Sequence, residues 1–150
     1  RQNPSDSYQL LFTSRLYEFL YHLCRSYSHQ IPSASLTGSQ RDLQRVTHVM
    51  NWVKVHYPEP LSLETAADSL ALSKEYFCRL FKKYTGQTFL EYLNDVRTMH
   101  LYEDLQNSDE TITVLMEKNG LSNYKIFMRT FKKLYGSTPQ KMRSNRIRHV

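Results

Sequence analysis

The side chains in this chain best placed to do chemistry lie in two twelve-residue stretches, FCRLFKKYTGQT at 77–88 and FMRTFKKLYGST at 127–138. Arg79 and Arg129 occupy the same place in each stretch, as do the pairs Lys82 and Lys83, and Lys132 and Lys133. A guanidinium presents a planar fork of donors that fits guanine O6 and N7 together, a carboxylate such as Glu75 can accept from cytosine N4, and Cys78 or Met128 can touch a thymine methyl. The lysine pairs, with Lys141 and Arg143 further on, suit phosphate oxygens. The chemistry on offer is recognition of double-stranded DNA, although any one of these side chains could equally bond phosphate or face solvent.

Bond-making chemistry has little to stand on. The chain holds no Gly-rich phosphate loop, HExxH, paired CxxC or nucleophile elbow. His48 and His56 are eight residues apart rather than four, so they do not form a metal pair on one helix. Cys24 and Cys78 have no Cys/His cluster near them and read as reduced thiols. The expectation is a protein that is not an enzyme and uses no cofactor and no metal.

The elements that must position these residues follow from the repeat itself. Seven of twelve positions agree between the stretches, which marks one supersecondary unit used twice. In the first unit Ser62 caps a short helix, SLETAADSL; the chain breaks at Ala71, Leu72 and Ser73, and a second helix runs to a glycine stop at Gly86. Two short helices joined by so few residues are a helix-turn-helix. In the second unit Thr111 starts ITVLMEKNG, Leu121 to Asn123 turn the chain, and YKIFMRTFKKLYG follows, the turn being one residue longer than in the first unit. The units span about 62–86 and 111–136. Helical spacing puts Phe77, Phe81, Phe127 and Phe131 in the core rather than stacked on bases. It turns Ser73, Lys74, Glu75, Cys78 and Arg79 outward in the first unit, and Tyr124, Lys125, Met128 and Arg129 in the second.

Residues 88–107 read as a connecting helix with Phe89, Tyr92, Leu93, Val96, Met99, His100 and Leu105 on its apolar side. Such a helix spans ~30 Å, close to the ~34 Å between adjacent major grooves on one face of B-DNA. One chain could therefore read both grooves.

The remaining segments complete an all-α reading: two helix-turn-helix subdomains joined by a long central helix, with an additional N-terminal amphipathic helix. Residues 1–30 carry that helix, with Asp6 and Gln9 as a capping box and a stripe through Tyr8, Leu11, Phe12, Leu16, Phe19, Leu20, Leu23 and Tyr27. It reads as the end of a sensing or dimerisation domain, and residues 7–28 could bury their stripe against the C-terminal part of this chain, against another copy as a homodimer, or against an N-terminal domain outside this sequence. Residues 31–40, with Pro32 and Gly38, form a linker; residues 41–150 form the DNA-binding domain. A helix from Arg41 to Tyr57 has Leu43, Val46, Val49, Met50, Val53 and Tyr57 on its apolar face, Trp52 at the margin, and Pro58 and Pro60 at its end. Pro139 opens a last helix.

The 150 residues carry a formal charge of +6, and its distribution says more than its size. From Lys118 onward there are nine Lys/Arg and no Asp or Glu, whereas between Thr88 and Glu117 seven carboxylates face only Arg97. Basic zones on the repeated units suit a polyanion. With no long apolar run and no signal-like start, neither membrane spanning nor secretion is expected, and a cytoplasmic protein is. A start at Arg1 suggests a piece of something longer. The competing reading is a helical protein-interaction module whose basic surface is incidental.

The stretch SLETAADSLALSKEYFCRLFKKYTGQTFLEYLNDVR, followed by NGLSNYKIFMRTFKKLYGSTPQKMR, resembles the DNA-binding domain of AraC/XylS-type bacterial transcription regulators over about residues 43–143. RLFKKYTG, then EYL and VR, and the closing GL, F, R, FKK, YG, TP and R carry the resemblance. It implies sequence-specific binding of double-stranded DNA, contact with RNA polymerase, and a small-molecule effector held by a region outside this chain. Three departures stand out. Ala71 occupies a turn position where glycine is frequent, so that turn is expected to manage without easy positive φ. Met116 stands for a small alanine, and Leu121 for the usual phenylalanine after Gly120, a pair of changes that can offset in volume.

Overall fold

The structure is a computed structural model that describes residues 37–147, with side chains described through residue 144. The expected N-terminal helix, Cys24, the first part of the linker and Arg148 lie outside the described residues. Seven helices follow one another among the described residues: α1 (Gly38–His56), α2 (Leu63–Asp68), α3 (Lys74–Thr85), α4 (Phe89–Asn107), α5 (Ile112–Lys118), α6 (Tyr124–Tyr135) and α7 (Pro139–Ile147). No strand occurs among the described residues. Helix α1 begins at Gly38, three residues before the expected Arg41, so residues 38–40 belong to the helix rather than to a linker. The unit that contains all seven helices starts at this same glycine.

Helix ends are set by local chemistry. Ser62 and Thr88 each form a capping box, the first with Thr65 and the second with Glu91. Ser73, Thr111 and Asn123 cap α3, α5 and α6 through side-chain oxygens that accept from the backbone three residues on. Gly86 and Gly136 end α3 and α6 in the left-handed conformation, at φ of 77° and 68°.

Two cores form. In the first, α1 contributes Val46, Val49 and Val53, α2 Ala66 and Ala67, α3 Phe77, Leu80 and Phe81, and α4 Phe89, Leu93 and Val96. Phe89 lies edge-on to both Phe77 and Phe81, with centroids 5.6 and 5.8 Å away. The second core joins Leu101 and Leu105 of α4 to Leu115, Met116, Leu121, Phe127 and Phe131. Phe77, Phe81, Phe127 and Phe131 are all fully buried, as their spacing predicts.

Helix α4 is the element both cores share, packing against α1, α3, α5, α6 and α7. Its two apolar faces point in different directions. At 100° per residue, the face of Leu101 and Leu105 is rotated by roughly 130° from that of Phe89, Leu93 and Val96. The expectation of one stripe therefore fails in part: Met99 is 51% exposed, while Thr98 and Leu101 are buried. His100 is half-exposed, its ring stacked on Tyr57 at 4.0 Å. Leu43 of α1, also expected on an apolar face, is 52% exposed.

Candidate nucleic-acid interface

The two units are built alike but not in one register. Their first helices close with equivalent backbone bonds, Leu72 N–H to Ala67 O and Leu121 N–H to Met116 O, a shift of 49 residues. Their second helices, Lys74–Thr85 and Tyr124–Tyr135, are related by a shift of 50. The second turn thus holds one more residue, Ser122, between the closing bond and the cap, as expected from the sequence. The left-handed positions correspond too, at Ala71 and Gly120, with φ of 52° and 71°. Here the first turn departs from expectation: it does use positive φ, and Ala71 adopts it without the freedom of glycine.

On α3, Lys74, Glu75, Cys78 and Arg79 are exposed on the side opposite Phe77 and Phe81. Two expected readers are already engaged. The Ser73 hydroxyl accepts from Tyr76 N–H at 3.3 Å as the helix cap. Lys74 Nζ donates to Glu64 Oε1 at 2.6 Å, tying α3 back to α2. That bond holds the Glu64 carboxyl below the usual range and lifts the Lys74 ammonium above its own. An ion pair so exposed is screened and exchangeable, so phosphate can compete for the lysine.

On α6, Tyr124, Lys125 and Arg129 are exposed, whereas Met128 is half-buried against the second core. Its thioether is part of the packing, so its reach toward a thymine methyl is shorter than expected. Of the expected phosphate contacts, Lys82, Lys83, Lys132, Lys133 and Lys141 are exposed. Lys83 lies over the Tyr84 ring at 5.2 Å, and Lys133 Nζ is 3.3 Å from Asp95 Oδ2 on α4. Arg143 is different: it is half-buried, and its Nε and Nη2 are enclosed without a hydrogen-bond partner among the described residues. Those two nitrogens are not open to phosphate in this arrangement.

Arg97, visible in the sequence as part of the VR motif, ties the middle of α4 to the loop after α1. Arg97 Nε donates to Tyr57 O at 2.7 Å and its Nη2 to Glu59 O at 2.6 Å. Partial burial disfavours its charged form and lowers its pKa. The signals in the sequence were its place in the VR motif and a lone cation in an acidic zone, neither of which names its partners. Beside it a cleft of about 730 Å³ opens between the units, lined by Pro58, Leu61, Arg97, Met116, Gly120 and Tyr124 among others. Asn119, buried at the end of α5, donates through Nδ2 to Asp104 on α4 at 2.7 Å.

Residues 66–145 match a family model described as a helix-turn-helix domain. The HTH-type transcriptional activator RhaS of Escherichia fergusonii is 31% identical over 111 residues, covering 74% of this chain and 40% of that protein. An uncharacterized HTH-type transcriptional regulator of Staphylococcus aureus is 33% identical over 102 residues, covering 68% of this chain and 14% of that one. The chain therefore spans less than half the length of these curated relatives. Among solved structures, the DNA-binding domain of the transcriptional factor AdpA in complex with a target DNA is similar at a TM-score of 0.61 and 25% identity. That match covers 67% of this chain and 91% of the AdpA chain. A Chromobacterium violaceum regulator with an AraC-type DNA-binding domain is similar at a TM-score of 0.58 and 28% identity, covering 73% and 95%.

Proposed function

This chain belongs to the AraC/XylS-type family of helix-turn-helix domains, and from that premise we propose that it binds double-stranded DNA sequence-specifically to regulate transcription, setting α3 and α6 into adjacent major grooves. The observation that carries this reading is the pairing of two exposed, basic second helices on one continuous helix. Helix α4 has 19 residues, about 28 Å at 1.5 Å per residue, which approaches the ~34 Å repeat of the major groove.

Within that reading Arg79 and Arg129 grip guanine edges, while Glu75, Cys78, Tyr124 and Lys125 meet the neighbouring bases. Ser73 and Lys74 approach the backbone edge of their groove after giving up a cap bond or an ion pair, and Met128 lends apolar contact from the core margin. Lys82, Lys83, Lys132, Lys133 and Lys141 bind phosphate and fix register. Arg143 joins them only if its side chain swings out of the packing. Residues 1–30 serve as the end of a sensing or dimerising domain, 31–37 as the link, and residues 7–28 as a homodimer contact. RNA polymerase is the protein partner, the effector binds outside this chain, and the setting is the bacterial cytoplasm.

A gel-shift titration of the 150-residue chain with random duplex at two salt concentrations tests the reading. Binding at low salt that weakens steeply at high salt is the expected result. Absence of binding at low salt would overturn it.

A further inference from the structure

Helix α4 alone would leave the two reading helices on the ends of a single rod, each free to rock as its own core allows. A second connection closes that rod into a triangle. It lies where the loop after α1, the middle of α4 and the turn of the second unit meet.

Arg97 on α4 grips two carbonyls of the loop, those of Tyr57 and Glu59, the second of which also accepts from Leu61 N–H at 2.8 Å. The carbonyl between them, Pro58 O, faces the second unit. There it meets Gly120 so closely that a Cβ on that residue would lie 2.7 Å from Pro58 O and 3.1 Å from Arg97 Nε. Gly120 also has φ of +71°, so its backbone is doubly matched to the place. Two prolines, Pro58 and Pro60, stiffen the loop, and Glu59 N–H is held by His56 O at 3.0 Å. Arg97, Pro58 and Gly120 are not among the residues of either hydrophobic core.

Resting on the DNA reading above, we infer that the Arg97–Pro58–Gly120 junction is the positioning device that sets the angle between α3 and α6, and so the spacing of the two base elements the chain accepts. One inserted base pair moves the second element by about 3.4 Å along the axis and turns it by roughly 35° around it. A braced pair of helices cannot follow that move; a hinged pair can. Arg97 acts through geometry and reads no base.

The test begins with a duplex site selected by the wild-type chain, then compares it with versions carrying one base pair inserted or deleted between the two elements. The wild type is expected to lose about tenfold or more in affinity on either change, in the range of a mismatched base pair. Arg97→Gln and Gly120→Ala are expected to shrink that loss to about threefold or less, with base preference within each element kept. Arg97→Lys should lie between, because an ammonium cannot reproduce the two-carbonyl fork. Helical circular dichroism identifies any variant that fails to fold, and Arg97→Gln and Arg97→Lys decide the matter if Gly120→Ala does not fold. Folded variants that discriminate spacing as sharply as the wild type would overturn the junction's role while leaving DNA binding intact. A wild type that binds no duplex at all would overturn both.

Discussion

Arg79 and Arg129 carry the most specific chemistry, because a guanidinium that bonds both O6 and N7 of guanine distinguishes that base from the other three. Both are exposed on the outer face of a second helix. Arg79→Ala is expected to cost about 1 to 3 kcal/mol of binding and to relax preference at one base position. Binding assays on a site series check this, and equal loss on specific and random DNA would assign Arg79 to phosphate instead. Lys132 pairs with no carboxylate among the described residues, whereas Lys133 contacts Asp95. Lys132→Gln should weaken binding alike on all sequences and lower the salt slope by about 1. Lys133→Gln should do less, since its contact with DNA competes with Asp95; a change of preferred site in either variant would contradict the phosphate role.

Ala71 offers a stability prediction at the same scale. A left-handed φ of 52° costs a residue with a Cβ roughly 1 to 2 kcal/mol, while glycine adds about 0.4 to 1 kcal/mol of unfolded-state freedom. The strain outweighs the entropy, so Ala71→Gly should raise stability by a few tenths to about 1 kcal/mol. Urea unfolding that shows a clear loss would mean that the Ala71 methyl contributes packing of its own.

At the scale of the element, α4 depends on its start. Thr88 accepts from Glu91 N–H, and Glu91 Oε2 accepts from both the N–H and the hydroxyl of Thr88 at 2.8 Å. Thr88→Ala should cost about 1 kcal/mol in chemical denaturation. The same bonds, led by the Thr88 backbone N–H, hold the Glu91 carboxyl below the ordinary glutamate range. A depressed folded pKa gives stability that is present above the unfolded pKa and lost as pH falls through the folded one. The thermal midpoint should therefore drop on acidification through the carboxylate range, and Glu91→Gln should make that drop shallower. An unchanged acid limb in Glu91→Gln would show that other carboxylates, Glu64 beside Lys74 among them, govern it.

What could be read from the sequence divides along this same line. Caps, glycine stops and the Phe/Lys faces of α3 and α6 are local, set by residues three or four apart, and they are where spacing places them. Helix α4 was legible as a helix but not in its facing, because its apolar side changes direction midway to serve two cores. Met99, in phase with neither face, reads as core in a single stripe and is exposed in the fold. Arg97 and Gly120 were legible as parts of the VR and GL motifs, but not for what they touch. Their roles arise from the Pro58 carbonyl, 39 residues from Arg97 and 62 from Gly120 by subtraction of their numbers, and no local pattern records such a meeting.

For the molecule as a whole, the fold places two basic helices at the ends of one spine and braces them from the side. Under the proposed reading, a single chain has two reading surfaces whose separation is a property of the protein and not of a dimer. The repeat explains how this works: the residues shared by the two units build the scaffold, while Glu75 and Cys78 against Lys125 and Met128 differ and so would read different bases. The most direct test of that account is guanine N7 methylation protection on a selected duplex, with stoichiometry measured on the same complex. The account predicts two protected major-groove clusters one helical turn apart, about 34 Å, with one chain per duplex. A single protected cluster, or two clusters that require two chains, would contradict it.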